Sequence, residues 1–596
     1  MSLGGAYRKW GIQCYRLPVM LDDLRPDAPG LTARKSFLLA LAVALLLSLA
    51  PVVSHSLWTP DEPAGAGIGR AMADSGDWIV PRLNGQPFLE KPPLYWWTLA
   101  GSLRLLGMSD VAARVPSALF AMLTLLAVWV AGVRLGGPRE GLLGVCVLAT
   151  TVLFIQNATR VTVDPALMFF VGLAHLGFVL WIEARSPGER RGAMALIALA
   201  LPLAFLCKGI VAVGLGVGPP VLYLLATRRA RAVRELLPLA AVGIPAFALL
   251  VVPWAMALWR EAGWEGLQVC LINNTVGRMV HTRETHVFGH SEPFWFYLLI
   301  APPMLLPWTL ALPAMLRSGR CRAGSPGSEG HRLLLATAGL GLLLLTVPAT
   351  KREVYLLPLL PAFAVCAAGW LDGVGRPGEA ASRDRRALLA LGIFAALLPL
   401  LLGAAALWLA WAPHVPKGAV PVRNSVPAPL LTGFGVAALI LGGALAAGLI
   451  RRWRSAPSVR WVIAALIVVT LGLEAGAEAL IDPVKRSDEL TRAIAANFPG
   501  REPVPAYLPP VVSNEAIFGI IGFKLGRLTH PLSTAEDVEA WLASHPGAPI
   551  LVRMEQFWRL PLDLRRRLRF VYDERGRKAA PFGIAVEAAS NMQNNR

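Results

Sequence analysis

Acidic and basic side chains recur at the edges of apolar segments in this sequence, in types that suit chemistry on a phosphate ester. Asp61 and Glu62 follow the first apolar segment, Glu90 and Lys91 stand together further on, and Asp164 opens a later segment. Lys208 interrupts a long apolar run, Arg278 and His281 follow Asn273-Asn274-Thr275, and Lys351-Arg352 open another segment. Each group alone has an ordinary reading. Asp61 and Glu62 suit a helix N-terminus with Pro63 as the first helical residue. Glu90-Lys91 suits a local ion pair, and Lys208 suits a cation that snorkels to the membrane edge. Gathered on one face, carboxylates beside cations suit a donor that bears a phosphate and an acceptor that must be oriented or deprotonated. In a membrane, the phosphate ester within reach is lipid-linked.

The elements that must hold these groups are apolar. The chain has 596 residues, 55% hydrophobic and 16% charged, with mean hydropathy +0.54 and a formal net charge of +19. Disorder needs low hydrophobicity, and a nucleic-acid binder would carry its cations on a soluble domain, so neither is expected. An apolar and basic chain is a polytopic α-helical membrane protein whose cations lie in loops. Spans of about 20 apolar residues fall at 36–55, 115–133, 141–156, 164–182, 192–207, 209–226, 236–258, 293–316, 333–349, 353–371, 387–411, 428–450 and 461–480.

These segments predict about 13 transmembrane helices, with 1–35 as a tail, 36–482 as the membrane domain and 483–596 as a terminal domain. Every second loop carries a cation cluster, such as Arg185, Arg190 and Arg191, or Arg228, Arg229, Arg231 and Arg234. These clusters and the tail hold 27 of the 57 Lys and Arg. The positive-inside rule makes them cytoplasmic. An odd span count then puts 483–596, and all the candidate groups above, on the outer face.

The outer loop 56–114 is too long for a turn. It reads as a short helix over 64–75 and another, with an aromatic face suited to the interface, over 94–106. The terminal domain alternates helix and strand: helices over 487–498, 515–525 and 534–544, strands over 504–507 and 549–552. That pattern predicts a small α/β domain. The Arg565–Arg569 run reads as a solvated helix face. Cys14, Cys146, Cys207, Cys270, Cys321 and Cys366 form no metal or disulfide pattern. Gly65, Gly67 and Gly69 read as close helix packing, not a nucleotide loop. His281, His286 and His290 with Glu90 would offer ligands to a divalent metal, but their spacing is not specific, so no cofactor is expected to be required.

Asp61-Glu62, Ser75-Gly76-Asp77-Trp78-Ile79-Val80-Pro81, Leu83-Asn84-Gly85 and Phe88-Leu89-Glu90-Lys91-Pro92-Pro93-Leu94-Tyr95-Trp96 carry a resemblance. So do Asp164-Pro165, Lys208-Gly209, Asn274–Arg278, Pro293–Tyr297, Leu306-Pro307-Trp308, and Lys351-Arg352 with Tyr355, Pro358 and Pro361. Over 50–370 the chain resembles the bacterial lipid A 4-amino-4-deoxy-L-arabinose transferases, relatives of the protein O-mannosyltransferases within the C-type glycosyltransferase superfamily. The resemblance implies a C-type glycosyltransferase fold with a periplasmic C-terminal domain, in the bacterial inner membrane. It implies transfer of a sugar from undecaprenyl phosphate to lipid A or another periplasmic acceptor. Asp61 is then similar to the catalytic acid, Glu90 and Lys91 line the donor pocket, and Lys91, Lys208 and Arg278 take the lipid phosphate. Asp164 is a second acid, Lys351 and Arg352 add cations to the donor site, and Glu62 and His281 are further candidates. Where the arabinose transferases have an Arg-Tyr pair after Asp-Glu, this chain has Pro63-Ala64-Gly65.

A phosphate leaves without protonation, so one base and inversion are expected, unlike the paired acids of glycosidases. Protein O-glycosylation is the main rival within the enzymes. A lipid-linked sugar transporter is a rival outside them, but no internal repeat is evident and the charges gather at one face, not at the midplane.

Overall fold

The computed structural model describes residues 31–228, 230–273, 291–318, 327–374, 382–452, 458–510, 513–575 and 581–588. Each of the thirteen apolar segments is helical there. Ten of the described helices are long and apolar enough to cross a membrane, and eleven if Phe296–Met304 and Trp308–Leu316 count as one span bent by 101°. Pro302, Pro303 and Pro307 lie around that bend, where each removes a helical donor. The other two segments are helical but lie outside that set. Residues 141–156 form two short helices, Pro138–Ala149 and Val152–Asn157, and most of 333–349 falls on Ser328–Thr346, whose first turns carry Glu329, His331 and Arg332.

The loops read as cytoplasmic meet at one end of the bundle. Arg134 pairs with Glu189 at 2.7 Å, Arg228 with Glu235 at 2.8 Å and Arg139 with Asp372 at 3.7 Å, while His331 Nε2 lies 2.8 Å from Glu140. These pairs record which loops are neighbours. A small apolar cavity bounded by Leu312, Met315, His331 and Phe363 lies at this end.

At the opposite end the first long loop forms a helix over Asp61–Ser75, a two-residue hairpin and a helix over Leu94–Leu106. The hairpin pairs β1 (Arg82–Leu83) with β2 (Gln86–Pro87), and Asn84 and Gly85 both have positive φ. Such a turn needs residues that tolerate the left-handed region, and Asn-Gly is its strongest signal. The Asp61 helix starts earlier than the sequence suggested, so Pro63 is its third residue.

The terminal domain is a five-stranded sheet in the order β4-β3-β5-β7-β6. Its strands are β3 (Val504–Tyr507), β4 (Thr529–Leu532), β5 (Ile550–Arg553), β6 (Leu568–Asp573) and β7 (Phe582–Glu587). β3 runs parallel to β4 and β5, and β7 pairs antiparallel with β5 and β6. Successive residues face opposite sides of a strand. Leu551 and Ile584 accordingly join one core with Leu490, Ile494 and Ile520, and Ile550, Val552 and Ala585 join another with Val538, Leu542 and Leu564.

This domain rests on the Asp61 helix through glycines. A Cβ on Gly519 would fall 2.2 Å from the Pro63 carbonyl carbon, and one on Gly67 would fall 3.0 Å from Gly519 Cα. Gly65 faces the Val161 carbonyl and Gly69 faces Leu99, which accounts for the three spaced glycines as close packing. Polar ties flank the contact. Lys524 Nζ lies 2.8 Å from Asp110 and 3.1 Å from Asp488, and Arg70 Nη1 donates to the Phe523 carbonyl at 2.6 Å. The Asn84 amide exchanges two hydrogen bonds with the backbone of Thr529, at 3.0 and 2.7 Å, closing the exposed edge of β4.

Candidate active site

Asp61 and Glu62 are neighbours in sequence but, at 100° per residue on a helix, point in different directions. Asp61 is partly open, and its Oδ2 lies 3.2 Å from Nη2 of Arg352, a residue distant in sequence. Glu62 is 1% exposed. Arg114, fully buried, donates to both Glu62 oxygens at 3.0 and 2.7 Å, and the amides of Trp58 and Val161 donate at 2.8 and 3.1 Å. Burial by itself would raise the Glu62 pKa, but the Arg114 guanidinium more than offsets it and holds the carboxyl below its ordinary value. With four donors its acceptor capacity is filled. Glu62 is therefore an anchor, which corrects its reading as a group for substrate.

The anchor serves Asp61. Arg114 also binds the carbonyls of His55 and Ser56. Asp482 accepts from Ser56 N, Ser56 Oγ and Trp58 Nε1 at 3.0, 2.7 and 3.0 Å, and Lys485 Nζ donates to the Thr59 carbonyl at 3.2 Å. The turn that delivers Asp61 is thus gripped on both sides by helices distant in sequence.

A second acid–base pair stands beside the first. Asp164 begins the Asp164–Ile182 helix and Lys208 ends the Pro187–Lys208 helix, and the two form an ion pair. Lys208 Nζ also lies 4.4 Å from the centre of the Tyr355 ring, a cation–π contact. Arg352 feels both Asp61 and Asp164, so the two pairs form one cluster in which carboxylates and cations alternate. Lys351 points elsewhere: its Nζ donates to the carbonyls of Glu292 and Pro348 at 2.8 and 2.7 Å, and the residue is 3% exposed. Its role is to staple the backbone before Arg352, which corrects its placement in the donor site.

Glu90 and Lys91 pair at 3.2 Å in the same outer end. Near them comes a residue that sequence reasoning read only as the start of a helix. Glu515, from the terminal domain, is exposed to solvent at the border with Glu90 and Lys91. Burial raises its carboxyl pKa, helped by the Glu90 charge and opposed by Lys91, and Asp61 also acts on it. No pattern in the sequence could have marked it, because its position depends on how the domain docks.

Arg278, His281, His286 and His290 lie outside the described residues. Among the described residues, no three His, Cys, Asp or Glu side chains are arranged to hold a metal ion.

Comparison with known proteins places this architecture. A family model described as dolichyl-phosphate-mannose-protein mannosyltransferase matches residues 90–256. An undecaprenyl phosphate-alpha-4-amino-4-deoxy-L-arabinose arabinosyl transferase of Edwardsiella ictaluri is 30% identical over 530 residues, covering 84% of this chain and 90% of its own. The protein of that name from Pseudomonas paraeruginosa is 29% identical, over 73% and 75% of the two chains. In fold, the chain is similar to the crystal structure of ArnT from Cupriavidus metallidurans bound to undecaprenyl phosphate. The TM-score is 0.72 at 21% identity, over 93% of this chain and 98% of that one.

Proposed function

Because the chain belongs to the family of the undecaprenyl phosphate-4-amino-4-deoxy-L-arabinose arabinosyl transferases, we propose that it moves aminoarabinose or a related sugar from undecaprenyl phosphate to lipid A. The chain is a multi-pass membrane glycosyltransferase. The observation that carries the reading is the alternating cluster Asp61–Arg352–Asp164–Lys208 with Glu90–Lys91 at one end of the bundle. We place that end, and the terminal domain, in the periplasm of a bacterial inner membrane, with the N-terminus cytoplasmic.

In the proposed step an acceptor oxygen attacks the anomeric carbon on the side opposite the lipid phosphate. The new C–O bond forms as the bond to the phosphate oxygen breaks, and the electron pair leaves with undecaprenyl phosphate. Asp61 orients the acceptor and takes its proton, while Arg352 beside it fixes the direction of the carboxylate. Lys91, together with Arg278 as the sequence motif suggests, binds the lipid phosphate, where fixed cations act most on the growing charge of the leaving group. Glu90 holds Lys91 in place. Asp164 and Lys208 support the second wall, and Lys208 can turn toward the phosphate from its seat over Tyr355. Configuration inverts, and the scheme calls on no cofactor.

A second reading has its own support. The match to the mannosyltransferase family model, and Ala64-Gly65 in place of the Arg-Tyr pair, favour a protein acceptor. Mass spectra of lipid A and of the glycoproteome from strains with and without the gene separate the two. Loss of a pentosamine-sized adduct on lipid A supports the first reading; an unchanged lipid A with lost glycopeptides supports the second.

A further inference from the structure

The terminal domain has a binding geometry that the transfer scheme does not use. Strands β4, β3 and β5 lie side by side and run parallel. The chain leaves β3 toward one neighbour and, after β4, crosses back to the other. Open parallel sheets place ligands outside the carboxyl ends of their strands, where the winding reverses. Here the reversal falls between β3 and β5, whose ends are level, with Tyr507 opposite Val552.

Ser513 and Asn514 lie against both ends. Asn514 Nδ2 reaches the Leu508 carbonyl at 3.5 Å, and Arg553 Nη1 donates to the Ser513 carbonyl at 3.3 Å. Three polar atoms in the residues that cap these ends are buried without a hydrogen-bond partner: Asn514 Oδ1, Arg553 Nε and Gln556 Oε1. Gln556 is 4% exposed, and Arg553 Nε has Glu555 Oε2 only at 3.6 Å. An unmet buried polar atom is costly, and native proteins leave few. Three such atoms in the caps of two adjacent strands fit a site that is completed by a ligand.

The ligand's chemistry follows from the atoms. One guanidinium N–H seeks an anionic oxygen, and two amide oxygens seek hydroxyl or amine protons. A phosphorylated sugar offers both. The location agrees, because Glu515, next to Asn514, opens the helix that meets Pro63 through Gly519, and Pro63 is two residues from Asp61.

We propose that the carboxyl ends of β3 and β5 receive the polar head of the acceptor, with Arg553 on a phosphate, Asn514 and Gln556 on sugar hydroxyls, and Glu515 at the border with the donor site. The proposal rests on the reading of the chain as a transferase to lipid A. It gives the terminal domain the task of choosing the acceptor.

The test uses full-length wild type, Arg553→Gln, Arg553→Lys and Gln556→Leu in nanodiscs. Undecaprenyl-phosphate aminoarabinose is the donor, and the acceptors are bisphosphoryl lipid A and its two monophosphoryl forms. Arg553→Gln should raise the acceptor KM about tenfold or more, the worth of one charge-assisted hydrogen bond, with donor KM unchanged. The loss should shrink for the monophosphoryl form that lacks the phosphate Arg553 holds, and Arg553→Lys should restore part of it. An unchanged acceptor KM overturns the proposal. So does a donor KM that rises in its place, which would make this a donor site, or a uniform loss that follows a lowered melting temperature. Direct binding of lipid A without donor reads the same site in the absence of turnover. A wild type that binds lipid A through Arg553 but transfers nothing contradicts the transfer reading alone; equal binding by wild type and Arg553→Gln contradicts the acceptor site.

Discussion

Asp61 and Arg352 stand 291 residues apart in the chain and 3.2 Å apart in the fold. The pair joins the first outer loop to the start of the Glu353–Val374 span. Both side chains are partly open, so solvent screens their attraction and the pair adds little to stability. Its value lies in setting the direction of the Asp61 carboxylate and in placing a cation beside it. Arg352→Gln should lower kcat about 100-fold, as loss of one preorganised charge does elsewhere, with an unchanged melting temperature. Transfer kinetics and thermal unfolding of the same preparation check both halves.

Glu62 should behave in the opposite way. Glu62→Gln leaves Arg114 buried without its counter-charge, at a cost of about 3–5 kcal/mol, so yield and melting temperature should fall before any change in chemistry can be measured. The pH dependence has a definite sign. Because Arg114 holds Glu62 below the ordinary glutamate range, the stability it contributes is fully present above that range and is lost as pH falls through its lowered value. Acid unfolding of wild type should therefore begin below the usual glutamate range. A variant with both Glu62 and Arg114 replaced by apolar residues should lack that component.

Lys91 is assigned to the donor's phosphate. Lys91→Ala should raise the donor KM about 10- to 100-fold, the range for a lost hydrogen bond between charged groups, with the acceptor KM unchanged. Initial rates at varied undecaprenyl-phosphate sugar measure this. An equal rise in acceptor KM would move Lys91 out of the phosphate site.

The contact between Gly519 and Pro63 sets the seat of the terminal domain. Gly519→Ala puts a methyl 2.2 Å from the Pro63 carbonyl carbon, and backbone cannot swing aside as a side chain can. Overpacking of this kind costs about 1–3 kcal/mol. Limited proteolysis should cut the linker before Val504 faster in this variant, while Gly522→Ala, where a Cβ meets open space, should match wild type.

The apolar segments were legible because a bilayer demands about 20 residues per span, and all thirteen are helical here. The helix at 94–106 and the strand at 504–507 were legible to the residue. Strands β4, β6 and β7 were not. Pro531 breaks the strand pattern of β4, which survives as an edge; β6 begins inside an arginine run; and Gly583 interrupts β7. Within the site, residue type separated charged from apolar positions but could not tell direction. Asp61 and Glu62 look alike in sequence, as do Lys351 and Arg352, and in each pair one faces the cluster and the other fastens backbone. Glu515 was invisible because it arrives from a domain that docks through glycines.

The central claim is that Asp61 carries sugar transfer from a polyprenyl phosphate. Purified wild type and Asp61→Asn, reconstituted with undecaprenyl-phosphate aminoarabinose and lipid A, give the most direct test by mass spectrometry of the products. The account predicts glycosylated lipid A and released undecaprenyl phosphate from wild type. It predicts a rate at least about 100-fold lower from Asp61→Asn, in line with the loss of a positioned base, at an equal melting temperature. Equal rates from the two proteins would contradict it.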